Sequence, residues 1–171
     1  VTGVQTCSLP ILGFGSIGRV VAKKAHAFGF QCIAYDPILS GDTIELDGFL
    51  VPLFNLNELL SRSDAVSLHL PYLPETKNLF NATTLDQMKQ GACLINTARG
   101  GIVDELALAE RLRSGRIGGA AIDVFSAEPA KDLSHFSGIE NLILTPHIAG
   151  VTQESNERVS QMIADEVNRY L

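Results

Sequence analysis

A chain of 171 residues with 46% hydrophobic and 19% charged residues has the size and composition of one well-packed α/β domain. Its net charge of −6 argues against nucleic-acid or anionic-membrane partners, which call for a basic face, and no apolar run reaches membrane-spanning length. Cys7, Cys32 and Cys93 are odd in number and lack C-x-x-C spacing, so neither a disulfide framework nor a metal site is read, and a reducing, cytoplasmic setting is the expectation.

Residues 1–11 show no period and resemble the in-frame translation of a sequencing-library adaptor. Pro10 falls where a buried first strand should run, and proline cannot donate to a central ladder. The segment is expected to be non-native and carries no functional reading. From Ile11 onward short apolar runs alternate with amphipathic stretches, the pattern of βαβ units. Ile11-Leu12 is the remnant of a first strand. Residues 16–28 read as a helix with Val20, Val21, Ala25 and Phe28 on one face, ended by Gly29. Cys32-Ile33-Ala34-Tyr35 is a second strand, and the polar stretch 36–48 reads as a loop.

Asn57 is placed to cap a short helix holding Leu59 and Leu60, ahead of a strand at Ala65-Val66-Ser67-Leu68. Two prolines make Leu70-Pro71-Tyr72-Leu73-Pro74 an extended loop. Thr84 is expected to cap the next helix, Ala92-Cys93-Leu94-Ile95-Asn96 to form a strand, and Asp104 to cap a helix ended near Gly115. Strands follow at residues 119–123 and 142–144. From about Thr152 a last helix lines up Val159, Met162, Ile163, Val167 and Tyr170. The fold class implied is a Rossmann-like, doubly wound parallel sheet with helices on both faces.

Gly13-Phe14-Gly15-Ser16-Ile17-Gly18 is G-x-G-x-x-G between a strand and a helix. The first glycine permits the tight turn, the second lets backbone approach a pyrophosphate, and the third lets helix and strand pack closely. The helix N-terminus then offers free N–H groups and a positive dipole end. Asp36, at the end of the second strand, can accept hydrogen bonds from ribose hydroxyls and repels a 2′-phosphate. No Arg immediately follows it, so the pattern favours NAD over NADP.

Three more segments lie where open α/β sheets hold their ligands, at strand C-termini: Asn96-Thr97-Ala98-Arg99-Gly100-Gly101, Asp123-Val124-Phe125-Ser126-Ala127-Glu128-Pro129 and Thr145-Pro146-His147-Ile148-Ala149-Gly150. Together with the glycine loop, in this order, they resemble the D-isomer-specific 2-hydroxyacid dehydrogenases, the group that includes D-3-phosphoglycerate dehydrogenase. The resemblance implies transfer of a hydride between NAD(H) and C2 of a 2-hydroxy or 2-keto acid, in a homodimer or higher homo-oligomer. It makes Arg99, Glu128 and His147 catalytic: His147 as general acid/base, Glu128 orienting its ring, Arg99 binding the substrate carboxylate. It makes Gly13, Gly15, Ser16, Ile17, Gly18, Asp36, Leu70, Thr97, Ala98, Asp123, Ala149 and Gly150 cofactor-binding, with Asp123 accepting from the nicotinamide carboxamide. His69 is expected to shape the cofactor cleft, His26 and His135 to be merely exposed, and Tyr72, Cys32 and Cys93 to pack.

Family members are about twice as long, so residues 12–150 read as the NAD-binding domain, and 151–171 as a helix leading back toward a mostly missing substrate domain. Such a fragment is expected to bind NAD but to catalyse little. Two other readings share parts of the pattern: the family's corepressor branch, an NAD-sensing protein-binding module, and adenosylhomocysteinase, which the trio Arg99, Glu128 and His147 disfavours.

Overall fold

The computed structural model describes residues 7–170. Six parallel strands, β1 (Ser8–Leu12), β2 (Gln31–Tyr35), β5 (Ala65–Leu68), β6 (Cys93–Asn96), β7 (Gly119–Ile122) and β8 (Leu142–Leu144), form one sheet in the order β2-β1-β5-β6-β7-β8. The remaining strands, β3 (Thr43–Leu46) and β4 (Phe49–Pro52), form a separate antiparallel hairpin. The chain runs outward from β1 to β2 and then crosses to β5 on the other side of β1. This reversal opens a crevice at the strand C-termini.

Alternation along the strands sorts two cores. Ile11, Cys32 and Ala34 face α1 (Ser16–Ala27) and the hairpin, packing with Phe14, Ala22, Leu46 and Val51. Leu12, Ile33, Val66, Leu68, Leu94 and Ile122 face the opposite way, toward α2 (Leu56–Arg62), α3 (Ala82–Gln87) and α4 (Glu105–Arg113). Leu59, Leu60 and Leu108 are fully buried there, and truncating any one to alanine costs about 2–5 kcal/mol.

The first strand is longer than its sequence remnant and runs through Pro10. Odd residues of β1 bond to β2, as Gln31 N to Cys7 O (3.2 Å) and Gly13 N to Tyr35 O (2.9 Å) show. The missing N–H of Pro10 therefore faces β5, where the ladder pairs only Ile11 and Leu12, and no bond to β2 is lost. The reading of 1–11 as foreign falls in part on residues 1–6, which lie outside the described residues.

Four local expectations are corrected. The stretch 36–48 is not all loop, because β3 turns into β4 through Asp47 (φ 49°) and Gly48 (φ 86°), a left-handed pair suited to a two-residue hairpin turn. The cap of α2 is Asn55, which accepts from Glu58 N, rather than Asn57. The cap of α3 is Asn81, which accepts from Thr83 N and Thr84 N, rather than Thr84. Helix α1 buries Gly18, Ala22 and Ala25, while Val20 and Phe28 face solvent. Small residues win that face because the third glycine brings the helix too close for larger ones.

Among the described residues no helix is long and apolar enough to cross a membrane. Helix α5 (Gln153–Tyr170) forms as expected, but its apolar stripe, Val159, Met162, Ile163, Val167 and Tyr170, is exposed.

Candidate active site at the strand C-termini

The three loop glycines have three different surroundings. Gly13 has φ 88°, and a Cβ there would stand 2.5 Å from the His69 carbonyl oxygen, so the turn admits only glycine. A Cβ on Gly18 would collide with the Gly13 carbonyl and press on Ile11, which is the close helix–strand approach. A Cβ on Gly15 would meet nothing within 4 Å, leaving an open cradle over the start of α1. No side chain caps that N-terminus and no acidic residue stands in its first turn, so its N–H groups and dipole suit an anion. Ser16 and Ile17 line this end and are exposed.

Asp36 stands at the end of β2, beside the glycine loop. One carboxylate oxygen accepts from Phe14 N (2.8 Å) and the other from Ile38 N (3.0 Å), which ties the glycine loop to the end of β2. The side chain stays half-exposed, with lone pairs left for ribose hydroxyls. His69 donates its backbone N–H to Leu12 O (2.7 Å), and its ring lies 2.9 Å from the Ser67 hydroxyl. Burial pushes its imidazole below the ordinary value, keeping it neutral at the cleft. Leu70 beside it is buried. These surroundings fit a dinucleotide.

The other half of the edge carries Arg99, Glu128 and His147, which line one cleft of about 620 Å³ together with Tyr72 and Lys77. His147 Nδ1 lies 2.6 Å from Glu128 Oε2, and Glu128 Oε1 accepts from Phe125 N at 2.9 Å. The Phe125 N–H and then the His147 ring hold the Glu128 carboxyl below the usual carboxylate range. His147 has φ 54°, a left-handed conformation uncommon for a residue other than glycine, of the kind that collects at functional sites.

That conformation is held by Asp123. Its side chain is almost fully buried and accepts from Thr145 Oγ1 (2.5 Å), Ile148 N (2.9 Å) and Ala149 N (2.9 Å). Burial raises its pKa, but these donors outweigh it and leave the carboxyl below the usual range. Asp123 thus braces the His147 loop, a task absent from its sequence reading. The Arg99 loop has its own brace: Asn96, buried, accepts from Ala98 N (3.1 Å) and donates to Arg99 O (3.1 Å). Thr97 and Arg99 are exposed on this loop and Ala98 is half-buried, while Ala149 and Gly150 are exposed on the facing one.

Three minor readings change, those of His135, Cys93 and Tyr72, while His26 is exposed as expected. His135 is not exposed, since its ring faces Glu105 at 3.3 Å. His26 is exposed yet stacked on Phe49, with ring centroids 3.9 Å apart. Cys93 is exposed rather than packed, and Tyr72 is half-exposed with its ring over Gly101.

Residues 1–149 match the family model described as "D-isomer specific 2-hydroxyacid dehydrogenase, NAD binding domain". The chain belongs to the D-isomer-specific 2-hydroxyacid dehydrogenase family. Within that family it is 48% identical over 172 residues to the (S)-sulfolactate dehydrogenase of Chromohalobacter salexigens, covering 98% of this chain and 54% of that protein. It is 41% identical to the D-3-phosphoglycerate dehydrogenase of Synechocystis, covering 99% of this chain and 30% of that protein. The NAD-complexed D-isomer-specific 2-hydroxyacid dehydrogenase of Lactobacillus delbrueckii superposes with a TM-score of 0.85 at 31% identity, over 96% of this chain and 53% of that one. The chain spans about half or less of the length of these relatives. The fold is the family's Rossmann-like sheet, and the cofactor of this domain is NAD.

Proposed function

We propose that this domain serves the NAD-dependent interconversion of a D-2-hydroxy acid and its 2-keto acid. The observation that carries this reading is the 2.6 Å pairing of the His147 imidazole with Glu128 in the cleft that Arg99 also lines. With Nδ1 engaged by Glu128, His147 presents Nε2 to the substrate oxygen. There it gives a proton to a keto oxygen in one direction and takes one from a hydroxyl in the other. Glu128 fixes the ring's tautomer and tilt. Arg99 has one guanidinium nitrogen 2.6 Å from the Ala98 carbonyl, and its other donors are available to a substrate carboxylate. NAD(H), when bound, supplies or accepts the hydride. Gly13, Gly15, Ser16, Ile17 and Gly18 seat its pyrophosphate, and Asp36 its ribose. Leu70, Thr97, Ala98, Ala149 and Gly150 wall the cleft, and Asp123 offers its remaining lone pair to the carboxamide.

For the substrate we infer the phosphoglycerate dehydrogenase-like class. Lys77 supports this by adding a second cation to the cleft of Arg99, suited to an acid with another anionic group beyond C2. The exposed apolar stripe of α5 supports its reading as the passage toward a substrate-binding domain. A homodimeric or higher cytoplasmic assembly is the setting we propose, on the pattern the family resemblance implies.

The test has two arms. The chain alone is titrated with NADH and NADPH, and is expected to bind NADH more tightly. It is then joined to the substrate-domain half of the C. salexigens relative and assayed against a panel of 2-keto acids. Turnover is expected in the ordinary enzyme range of about 1–10³ s⁻¹ only in the joined form. NADH binding without turnover of any 2-keto acid by the joined form would refute the dehydrogenase reading.

A further inference from the structure

Glu105 opens α4, where an acidic residue commonly does no more than complement the helix dipole. Its carboxylate leaves the helix instead. Oε1 accepts from Ser126 N at 2.6 Å, and Oε2 lies 3.3 Å from His135 Nε2. The two side chains are only 14% and 19% exposed, and the His135 ring nitrogen is buried with no hydrogen-bond partner among the described residues beyond this contact. His135 is held in turn from the far end of α4, where Arg113 Nη2 donates to its carbonyl at 2.6 Å. The N-terminus of α4 is already capped by Asp104, which accepts from Ala107 N at 3.0 Å, so Glu105 is not needed as a cap.

The Ser126 N–H belongs to the Phe125–Ser126 peptide, and that peptide stands between the two catalytic loops. Its carbonyl faces Gly100, where a Cβ would collide with Phe125 O, so the Arg99 loop rests directly on it. The preceding N–H, that of Phe125, is the one that holds Glu128 Oε1. Whatever sets the tilt of this peptide sets both the Glu128 carboxylate and the footing of the Arg99 loop. We propose that Glu105, steadied by His135, is a positioning residue of the site: it locks the Phe125–Ser126 peptide so that Glu128 keeps its hydrogen bond to His147. The inference rests on the acid–base reading of that pair.

The readout is the downfield imidazole N–H proton of His147 in the NMR spectrum of the NADH-bound full chain, identified by its loss in Glu128→Gln. Glu105→Gln keeps the reach to Ser126 N and retains the signal. Glu105→Ala loses it. Glu105→Asp, which keeps the charge at the helix end but falls one methylene short, loses it as well. NADH affinity, read alongside, reports that each variant is folded. Should Glu105→Ala fail to fold, the contrast between the Asp and Gln variants carries the test. A signal that survives in Glu105→Asp overturns the inference, because charge at the helix end would then suffice. A wild-type spectrum without the signal, or a signal that persists in Glu128→Gln, sinks the acid–base reading itself.

Discussion

His147 Nδ1 and Glu128 Oε2 stand 2.6 Å apart, on loops that follow two adjacent strands. The imidazole is 48% exposed and the carboxylate 34%, so the pair faces the cleft rather than the core. A side chain used only for packing would not be held at φ 54° by a separate buried aspartate. His147→Asn is therefore expected to lower kcat in the joined-form assay by about 10²–10⁴-fold, the range general acid–base catalysis supplies, with NADH affinity retained. Glu128→Gln is expected to fall less. NADH oxidation followed by absorbance measures both, and a His147→Asn variant with near wild-type kcat would exclude the proposed role.

The three glycines of the loop make separable predictions. Gly13→Ala must place a methyl against the His69 carbonyl at φ 88°, and is expected to destabilise the domain by about 1–3 kcal/mol in urea unfolding. Gly15→Ala meets nothing in the protein, so stability should be near wild type. Its methyl enters the space the pyrophosphate needs, and NADH affinity should drop by about tenfold or more, equivalent to about 1.4 kcal/mol. Equal effects of the two substitutions on folding and on binding would contradict this division.

What the sequence makes legible follows from chemistry that is local. The strands of the sheet stand out because buried parallel strands are short apolar runs, and the glycine loop because its spacing is itself the mechanism. The hairpin of β3 and β4 is hidden by its polar residues, Asp42, Thr43, Glu45 and Asp47, although the Asp47-Gly48 pair is a turn signal that could have revealed it. The packing face of α1 misleads because hydrophobicity points to Val20 and Phe28, while close approach selects Gly18, Ala22 and Ala25. At the site, Arg99, Glu128 and His147 are readable from motifs at strand ends. Their supports are not, since Asp123 reaches Ile148 and Glu105 reaches Ser126 across 25 and 21 residues of chain.

Asp36 should decide cofactor preference. Its carboxylate is ordered by Phe14 N and Ile38 N, so a ribose meets a fixed acceptor rather than a mobile one. Asp36→Ala is expected to weaken NADH binding by about tenfold, the scale of one hydrogen bond to a charged group, and to narrow the gap to NADPH as the repulsion of a 2′-phosphate disappears. Fluorescence titration with both nucleotides checks this. An unchanged NADH-to-NADPH ratio would show that selectivity lies elsewhere.

Asp123 sets an acid limit on the His147 loop. Its folded-state pKa lies below the usual carboxylate value, as does that of Glu128. A carboxyl depressed in this way contributes stability that is fully present above its unfolded value of about 3.9, and that contribution is lost as pH falls from there through the folded value. Asp123→Asn keeps an acceptor but loses the charge that its three donors favour, and is expected to cost about 1–3 kcal/mol at neutral pH. The gap between wild type and variant should begin to close as pH falls below about 4, where the unfolded carboxyl takes up its proton, and vanish once the folded carboxyl is protonated as well. Urea unfolding at neutral pH and near pH 3 measures the two gaps. A difference that stays constant between them would mean that Asp123 stabilises the loop through shape rather than charge.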